Sequence, residues 1–283
     1  MRIINVLKNF PSKIKGFFKF LITCYRDGGV LYANIQTVNK GETLSGKRVL
    51  ITGGGSGIGR AIAIKALSEG AIVIIAGRRK NKLDSLVREL NNPNLYTIEW
   101  DVSDISLIEE KYNEVQEILN QDVEILINSA GVLLDQKLFR TTEDVWDKTY
   151  AVNSKAVYFM CQHLSNIWIK KKIKGKIINV SSTSGFYGAV IPYGMTKWDI
   201  VGLTEGLGKE LISKGIIVNG IAPGRTATEM LGRDSCGNIY DSYTIAKRFC
   251  LPEEIAELAS FLMGDSSNFI VGQTILCDGG YTL

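Results

Sequence analysis

The chain has 283 residues, 45% hydrophobic and 22% charged, which suits a large globular domain and excludes a disordered chain. Its net charge of +4 is uneven: residues 1–26 carry six Lys/Arg (Arg2, Lys8, Lys13, Lys15, Lys19, Arg26) and no acid, and the rest carries 27 basic against 29 acidic residues. That excludes a nucleic-acid-binding core and points to a local anionic partner, while one histidine (His163) and five cysteines without CxxC spacing exclude a histidine-built zinc site, so no metal is expected.

Residues 1–45 read as an extension of a main domain over 46–283. Ile14, Phe17, Phe18, Leu21, Ile22 and Tyr25 recur at helical spacing, with Lys13, Lys15 and Lys19 mostly off that stripe. Two readings stay open. One is a helix on an anionic membrane surface; the other is a helix packed on its own domain or on a neighbouring subunit. Lys19 interrupts the apolar run, so a spanning helix is not expected, and no secretory cleavage pattern is present. Scattered thiols suit a reducing compartment. The expected location is cytoplasmic, at most peripheral on the inner membrane face through residues 1–26.

From Lys47 onward, β-rich and helical segments alternate. The predicted strands are 48–52 (RVLIT), 71–76 (AIVIIA), 95–100, 124–128 (EILIN), 176–180 (KIINV), 216–221 and 273–277. The predicted helices are 58–67, 82–90, about 144–168, 193–211 and 252–263. Near-continuous Val/Ile runs between helices predict a doubly wound parallel α/β sheet of about seven strands, covered on both faces. Residues 225–250 are the least regular stretch and the candidate substrate-covering loop.

Thr52-Gly53-Gly54-Gly55-Ser56-Gly57-Ile58-Gly59 stands between the first strand and the first helix of that domain. Glycines there let the backbone approach a pyrophosphate, and the helix N-terminus offers N–H groups to it. A ribose-binding acid is expected at the end of the second strand, but Gly77-Arg78-Arg79-Lys80 occupies the place. Guanidinium groups suit a 2′-phosphate, so NADP(H) is the preferred cofactor, with NAD(H) left open.

Tyr193 and Lys197 lie four apart at the start of a helix and share a face. An ammonium near a phenol lowers the phenol's pKa from about 10, and an oxidised nicotinamide lowers it further, giving a usable acid/base. Ser182 follows the fifth strand, where such sheets bind ligands, and its hydroxyl suits a substrate carbonyl. Asn153, in the long helix before that strand, could hold a relay water or be structural.

Together these residues resemble the short-chain dehydrogenase/reductases, a single-domain Rossmann-type family, from about Lys47 to Tyr281. The glycine turn is similar to the family's TGxxxGxG. Trp100-Asp101-Val102 resembles its adenine-contacting segment, and Asn128-Ser129-Ala130-Gly131 its NNAG motif with Ser129 as the one change. Asn153, Ser182, Tyr193 and Lys197 resemble its catalytic tetrad. Pro223-Gly224, with Thr226 and Thr228, resembles its nicotinamide-holding segment, and Asp278-Gly279-Gly280 its closing turn. The resemblance implies hydride transfer between nicotinamide and a small-molecule carbonyl or secondary alcohol. Lys197 would bind the nicotinamide ribose and tune Tyr193, Ser182 would position the substrate oxygen, and Asn153 would fix a relay water. It also implies a homotetramer or homodimer built through the two long helices. A Ser182-to-Tyr193 stretch shorter than usual and the 1–45 extension depart from the family. A nucleotide-binding sensor or scaffold without turnover, and a membrane-surface enzyme acting on a lipid or lipid-linked sugar, stand as alternatives.

Overall fold

Branched apolar runs become strands because they can be buried on both faces at once. The computed structural model describes residues 12–32 and 41–283; Arg2 and Lys8 of the basic extension lie outside the described residues. Its strands are β1 (Arg48–Thr52), β2 (Ile72–Gly77), β3 (Leu95–Glu99), β4 (Ile125–Asn128), β5 (Lys176–Val180), β6 (Ile217–Pro223) and β7 (Thr274–Cys277). All pair in parallel, in the order β3-β2-β1-β4-β5-β6-β7. This is the expected doubly wound sheet.

Its helices are α1 (Ser12–Asp27), α2 (Gly57–Ser68), α3 (Lys80–Leu90), α4 (Ile108–Leu119), α5 (Glu143–Tyr150), α6 (Ala156–Lys171), α7 (Pro192–Leu211) and α8 (Pro252–Met263). Strand parity divides the core. Val49, Ile51, Val73 and Ile75 face one layer, where they meet Ala63 of α2, Leu83 of α3 and Ala259 of α8. Leu50, Ile74 and Leu126 face the other, with Tyr112 of α4, Leu164 of α6 and Ile200 of α7.

Two differences from the predicted elements stand out. Helix α4 is absent from the sequence reading, although Ile108, Tyr112, Val115 and Leu119 repeat at helical spacing. Five intervening charged residues (Glu109, Glu110, Lys111, Glu114, Glu117) mask that stripe. The predicted long helix exists, but a π-helical segment at Ala151–Lys155 joins α5 to α6. Such single-turn widenings commonly mark functional positions, and Asn153 sits in this one.

Helix α1 covers the predicted amphipathic stretch and leaves Phe17, Phe20 and Tyr25 exposed. The chain after it is fastened to the 225–250 loop. Leu31 N donates to Asn238 Oδ1 (2.9 Å), Asn238 Nδ2 donates to Gly29 O (3.2 Å), and Ile239 N donates to Leu31 O (3.0 Å). Leu31 packs on a small separate core of Ala227, Ile239, Phe249 and Leu251. Among the described residues, no helix is long and apolar enough to cross a membrane.

Candidate active site

Successive crossovers run to opposite sides at β1 and β4, so a crevice opens at the carboxyl ends of these neighbours. A cleft of about 440 Å³ lies there, lined by the glycine turn and the ends of β2, β4, β5 and β6. Its size suits a small ligand or cofactor.

The glycine turn forms a cradle that side chains would fill. Gly53 has φ +70°, and a Cβ there would stand 2.8 Å from the Ala130 backbone. A Cβ on Gly59 would collide with the Gly53 carbonyl oxygen. Ser56 stands at the N-cap position of α2 without bonding the helix through its side chain, so the first N–H groups of the helix stay free beside the cleft. The cationic run borders the same space: Arg79 Nη2 donates to Ser56 Oγ (3.1 Å), and Arg78 Nη1 lies 3.7 Å from Asp101 Oδ2. Val102, Pro223, Gly224, Thr226 and Thr228 also line the cleft.

At its other end the cleft meets Ser182, Tyr193 and Lys197. Helix α7 begins with Pro192 at its first turn, where a missing N–H costs nothing. Gln136 supplies the polar cap that Ile191 cannot. Its Oε1 accepts from Tyr193 N (2.8 Å), and its Nε2 donates to Thr149 Oγ1 (2.7 Å). Ser181 Oγ donates to Lys197 O (2.8 Å), drawing α7 against the end of β5. Lys197 Nζ donates to Val180 O (3.0 Å) and stands 5.5 Å from the centre of the Tyr193 ring.

The electrostatics differ from the sequence expectation. Burial raises the Tyr193 pKa, and a hydrogen bond with Ser182 partly opposes it. Burial lowers Lys197 itself from 10.5 to about 8, with no carboxylate to offset the desolvation. The pair at neutral pH is therefore a protonated phenol beside a lysine that keeps its charge against its own burial.

Asn153 stands behind the cleft rather than in it. Its Oδ1 accepts from Val132 N (2.8 Å) and its Nδ2 donates to Val132 O (2.9 Å), so the amide fixes the chain after β4. The side-chain amide is thereby committed to the Val132 backbone, within the π-helical turn. Two expected cofactor residues also point elsewhere. Thr52 Oγ1 accepts from Ser129 N and Ala130 N (3.2 Å each), joining the ends of β1 and β4 inside the sheet. Asn128 Nδ2 donates to Asn179 Oδ1 (2.9 Å), whose own amide donates to Thr204 Oγ1 of α7 (3.0 Å). Both residues are buried, and neither lines the cleft.

The sequence reading missed Gln136, which holds Tyr193 N from outside the cleft, and, in the cleft lining, Glu229 and a wall of Leu133, Ile191, Met230 and Leu231 with Tyr187 and Tyr281. Only the 225–231 part of the presumed covering loop reaches the cleft; Tyr240 and Tyr243 lie outside its lining. His163 also lies outside it, stacked edge-on against Tyr112 at 5.3 Å.

The sequence model of the short chain dehydrogenase family matches residues 47–236. A 3-oxoacyl-(acyl-carrier-protein) reductase of Thermotoga maritima is 36% identical over 248 residues, covering 85% of this chain and 99% of that protein. A (3R)-3-hydroxyacyl-CoA dehydrogenase of Homo sapiens is 30% identical over 245 residues, covering 82% and 94%. Among solved structures, a gluconate 5-dehydrogenase of Burkholderia cenocepacia in complex with NADP and tartrate superposes with a TM-score of 0.77. It shares 29% identity and covers 86% of this chain and 98% of its own.

Proposed function

The chain belongs to the short-chain dehydrogenase/reductase family, and on that premise we propose that Tyr193 is the general acid/base of an NADP(H)-dependent carbonyl reduction. The protein is an NAD(P)(H)-dependent oxidoreductase that transfers hydride between a nicotinamide and a carbonyl or alcohol carbon. One observation carries the assignment of residues: Ser182, Tyr193 and Lys197 meet at one end of a cleft whose other end is a glycine cradle. The cradle and the Arg78–Arg79 cations fit a dinucleotide with a 2′-phosphate. When bound, the reduced cofactor supplies a hydride from nicotinamide C4 to the substrate carbonyl carbon. The Ser182 and Tyr193 hydroxyls donate to the carbonyl oxygen, and the Tyr193 proton passes to it as negative charge develops. Lys197 would hold the nicotinamide ribose of a bound cofactor, and its charge, 5.5 Å from the Tyr193 ring centre, would stabilise the phenolate left on Tyr193. Asn153 and Gln136 position this group without touching the reacting atoms. The balance is a ketone, NADPH and a proton giving an alcohol and NADP⁺.

The apolar wall favours a carbonyl on an apolar body. Two relatives are named for 3-oxoacyl and 3-hydroxyacyl substrates, so a 3-oxoacyl thioester is the first substrate to test. NADPH oxidation with acetoacetyl-CoA, followed at 340 nm, is the assay. Tight NADPH binding without turnover of 3-oxoacyl thioesters, simple ketones or aldehydes would leave the sensor reading in place.

The cation cluster supports NADP(H) over NAD(H). Arg78→Asp and Arg79→Met are each expected to raise the KM for NADPH about tenfold or more, with the KM for NADH within about twofold. Unchanged selectivity in both variants would make the cluster a solvated loop.

Exposed aromatics on the basic helix α1 favour a second layer to this reading: an enzyme domain over 46–283, cytoplasmic, resting on an anionic membrane through its extension. Full-length protein should co-sediment with phosphatidylserine-containing vesicles at low salt and release as salt rises. A chain lacking residues 1–26 that binds equally well would remove the idea. Exposed Trp146, Tyr158 and Trp198 on α5, α6 and α7 support assembly through these helices into a homodimer or homotetramer, measurable by light scattering.

A further inference from the structure

Glu229 belongs to the segment that follows the proposed nicotinamide-holding residues, yet its carboxylate reaches the opposite wall of the cleft. Lys82 Nζ donates to Glu229 Oε1 at 2.6 Å, across 147 residues of sequence. Arg79 Nη1 lies 3.5 Å from Glu229 Oε2 while its Nη2 donates to Ser56 Oγ. Glu229, Arg79, Lys82 and Ser56 all line the cofactor cleft. The segment lies directly over the glycine turn, since a Cβ on Gly57 would stand 3.3 Å from Thr228 Cγ2. The hydrogen bond and charge of Lys82, then the charge of Arg79, hold the Glu229 carboxyl below the usual carboxylate range.

Two facts decide what this cluster does. Its side chains are 58% (Arg79), 58% (Glu229) and 40% (Lys82) exposed, so it contributes little to stability and its cations are open to an incoming anion. It also uses one of the two arginines that favour a 2′-phosphate. Arg78 is held only loosely, 3.7 Å from Asp101.

We propose that Glu229 is a cofactor-specificity residue: an internal carboxylate that occupies Arg79 and Lys82, clasps the 226–231 segment over the cleft, and surrenders both cations when a 2′-phosphate enters. This rests on the NADP(H) reading above and adds a competitor to it. A phosphate monoester carries nearly two charges at neutral pH and three acceptor oxygens, so it displaces one carboxylate. A ribose 2′-hydroxyl carries no charge and leaves the clasp closed. The chain thereby weakens its own grip on NADPH and ties the bound cofactor's identity to the position of the substrate-side segment.

The test is fluorescence titration of NADPH and NADH into the full-length protein and its Glu229→Gln and Arg79→Met variants. Glu229→Gln should tighten NADPH about threefold to fivefold and shift NADH by less than about twofold. Hydrogen exchange supplies a second readout. Adenosine 2′,5′-bisphosphate should speed amide exchange over 226–231 relative to 5′-AMP in the wild type, and this difference should vanish in Glu229→Gln. NADPH affinity that is unchanged or weaker in Glu229→Gln overturns the proposal, as does an equal change for both cofactors. If Arg79→Met then still loses NADPH selectively, the NADP(H) reading survives alone. If neither variant alters selectivity, both fall.

Discussion

Tyr193→Phe is expected to lower kcat/KM for carbonyl reduction about a thousandfold while NADPH binding stays within about twofold. General acid catalysis contributes about 10²- to 10⁴-fold, and this substitution removes the donor alone. The ring keeps its place, because α7 is set by Gln136 at Tyr193 N and by Ser181 at Lys197 O rather than by the phenol. The pH profile should show the same group. Burial raises the Tyr193 pKa, so the phenol is protonated across the neutral range. Reduction needs that proton and should be flat there, then fall as alkaline pH removes it. Oxidation needs the phenolate and should rise over the same alkaline window. Ser182→Ala deletes the hydrogen bond that opposes the raised pKa and should move both limbs further alkaline. A Tyr193→Phe enzyme with more than about a tenth of wild-type activity would show that the proton comes from elsewhere.

Lys197→Met is expected to cost about a hundredfold in kcat/KM and to make the protein more stable. The activity loss follows from removing the charge that steadies the phenolate, an electrostatic contribution of about 3 kcal/mol. The stability gain follows from the lysine's own burial. Its pKa is about 8 in the fold against 10.5 as the ordinary value. At about 1.4 kcal/mol per unit, the charged lysine opposes folding by about 3 kcal/mol at pH 7. Losing the hydrogen bond to Val180 O returns about 1 kcal/mol of that, leaving a net gain of about 2 kcal/mol. The sign with pH follows. Below about pH 8 the lysine is charged in both states and the full cost is present. Between about 8 and 10.5 the folded form sheds its proton first, so this contribution becomes less unfavourable as pH rises. Urea midpoints at pH 7 and pH 10 for both proteins measure it: the difference should shrink at the higher pH. A pH-independent difference, or a variant less stable at pH 7, would refute the account.

Much of this protein is legible locally. The Val/Ile runs, the glycine turn after β1 and the four-residue spacing of Tyr193 and Lys197 are short-range features. Each constrains its own backbone whatever surrounds it, so the strand segments and the residues at the cleft's two ends follow from them, while the order of the strands does not. Helix α4 shows the limit even of local reading, since its core stripe of Ile108, Tyr112 and Val115 is diluted by five charged residues. Thr52 and Asn128 show another. Both sit in the expected motifs, but strand parity and the neighbouring strand turn their side chains into the sheet, where they bind backbone and Asn179 instead of ligand.

By itself the amino-acid order determined a doubly wound sheet, a dinucleotide cradle, a cationic second-strand end and a Tyr–Lys face, because turn chemistry and hydrophobic period act within a few residues. Only the folded chain decided that Lys197 is buried without a carboxylate, that Asn153 serves Val132, and that Glu229 meets Lys82 across 147 residues. Desolvation and charge pairing depend on distance in space, and sequence spacing does not encode which side chains the crossovers bring face to face.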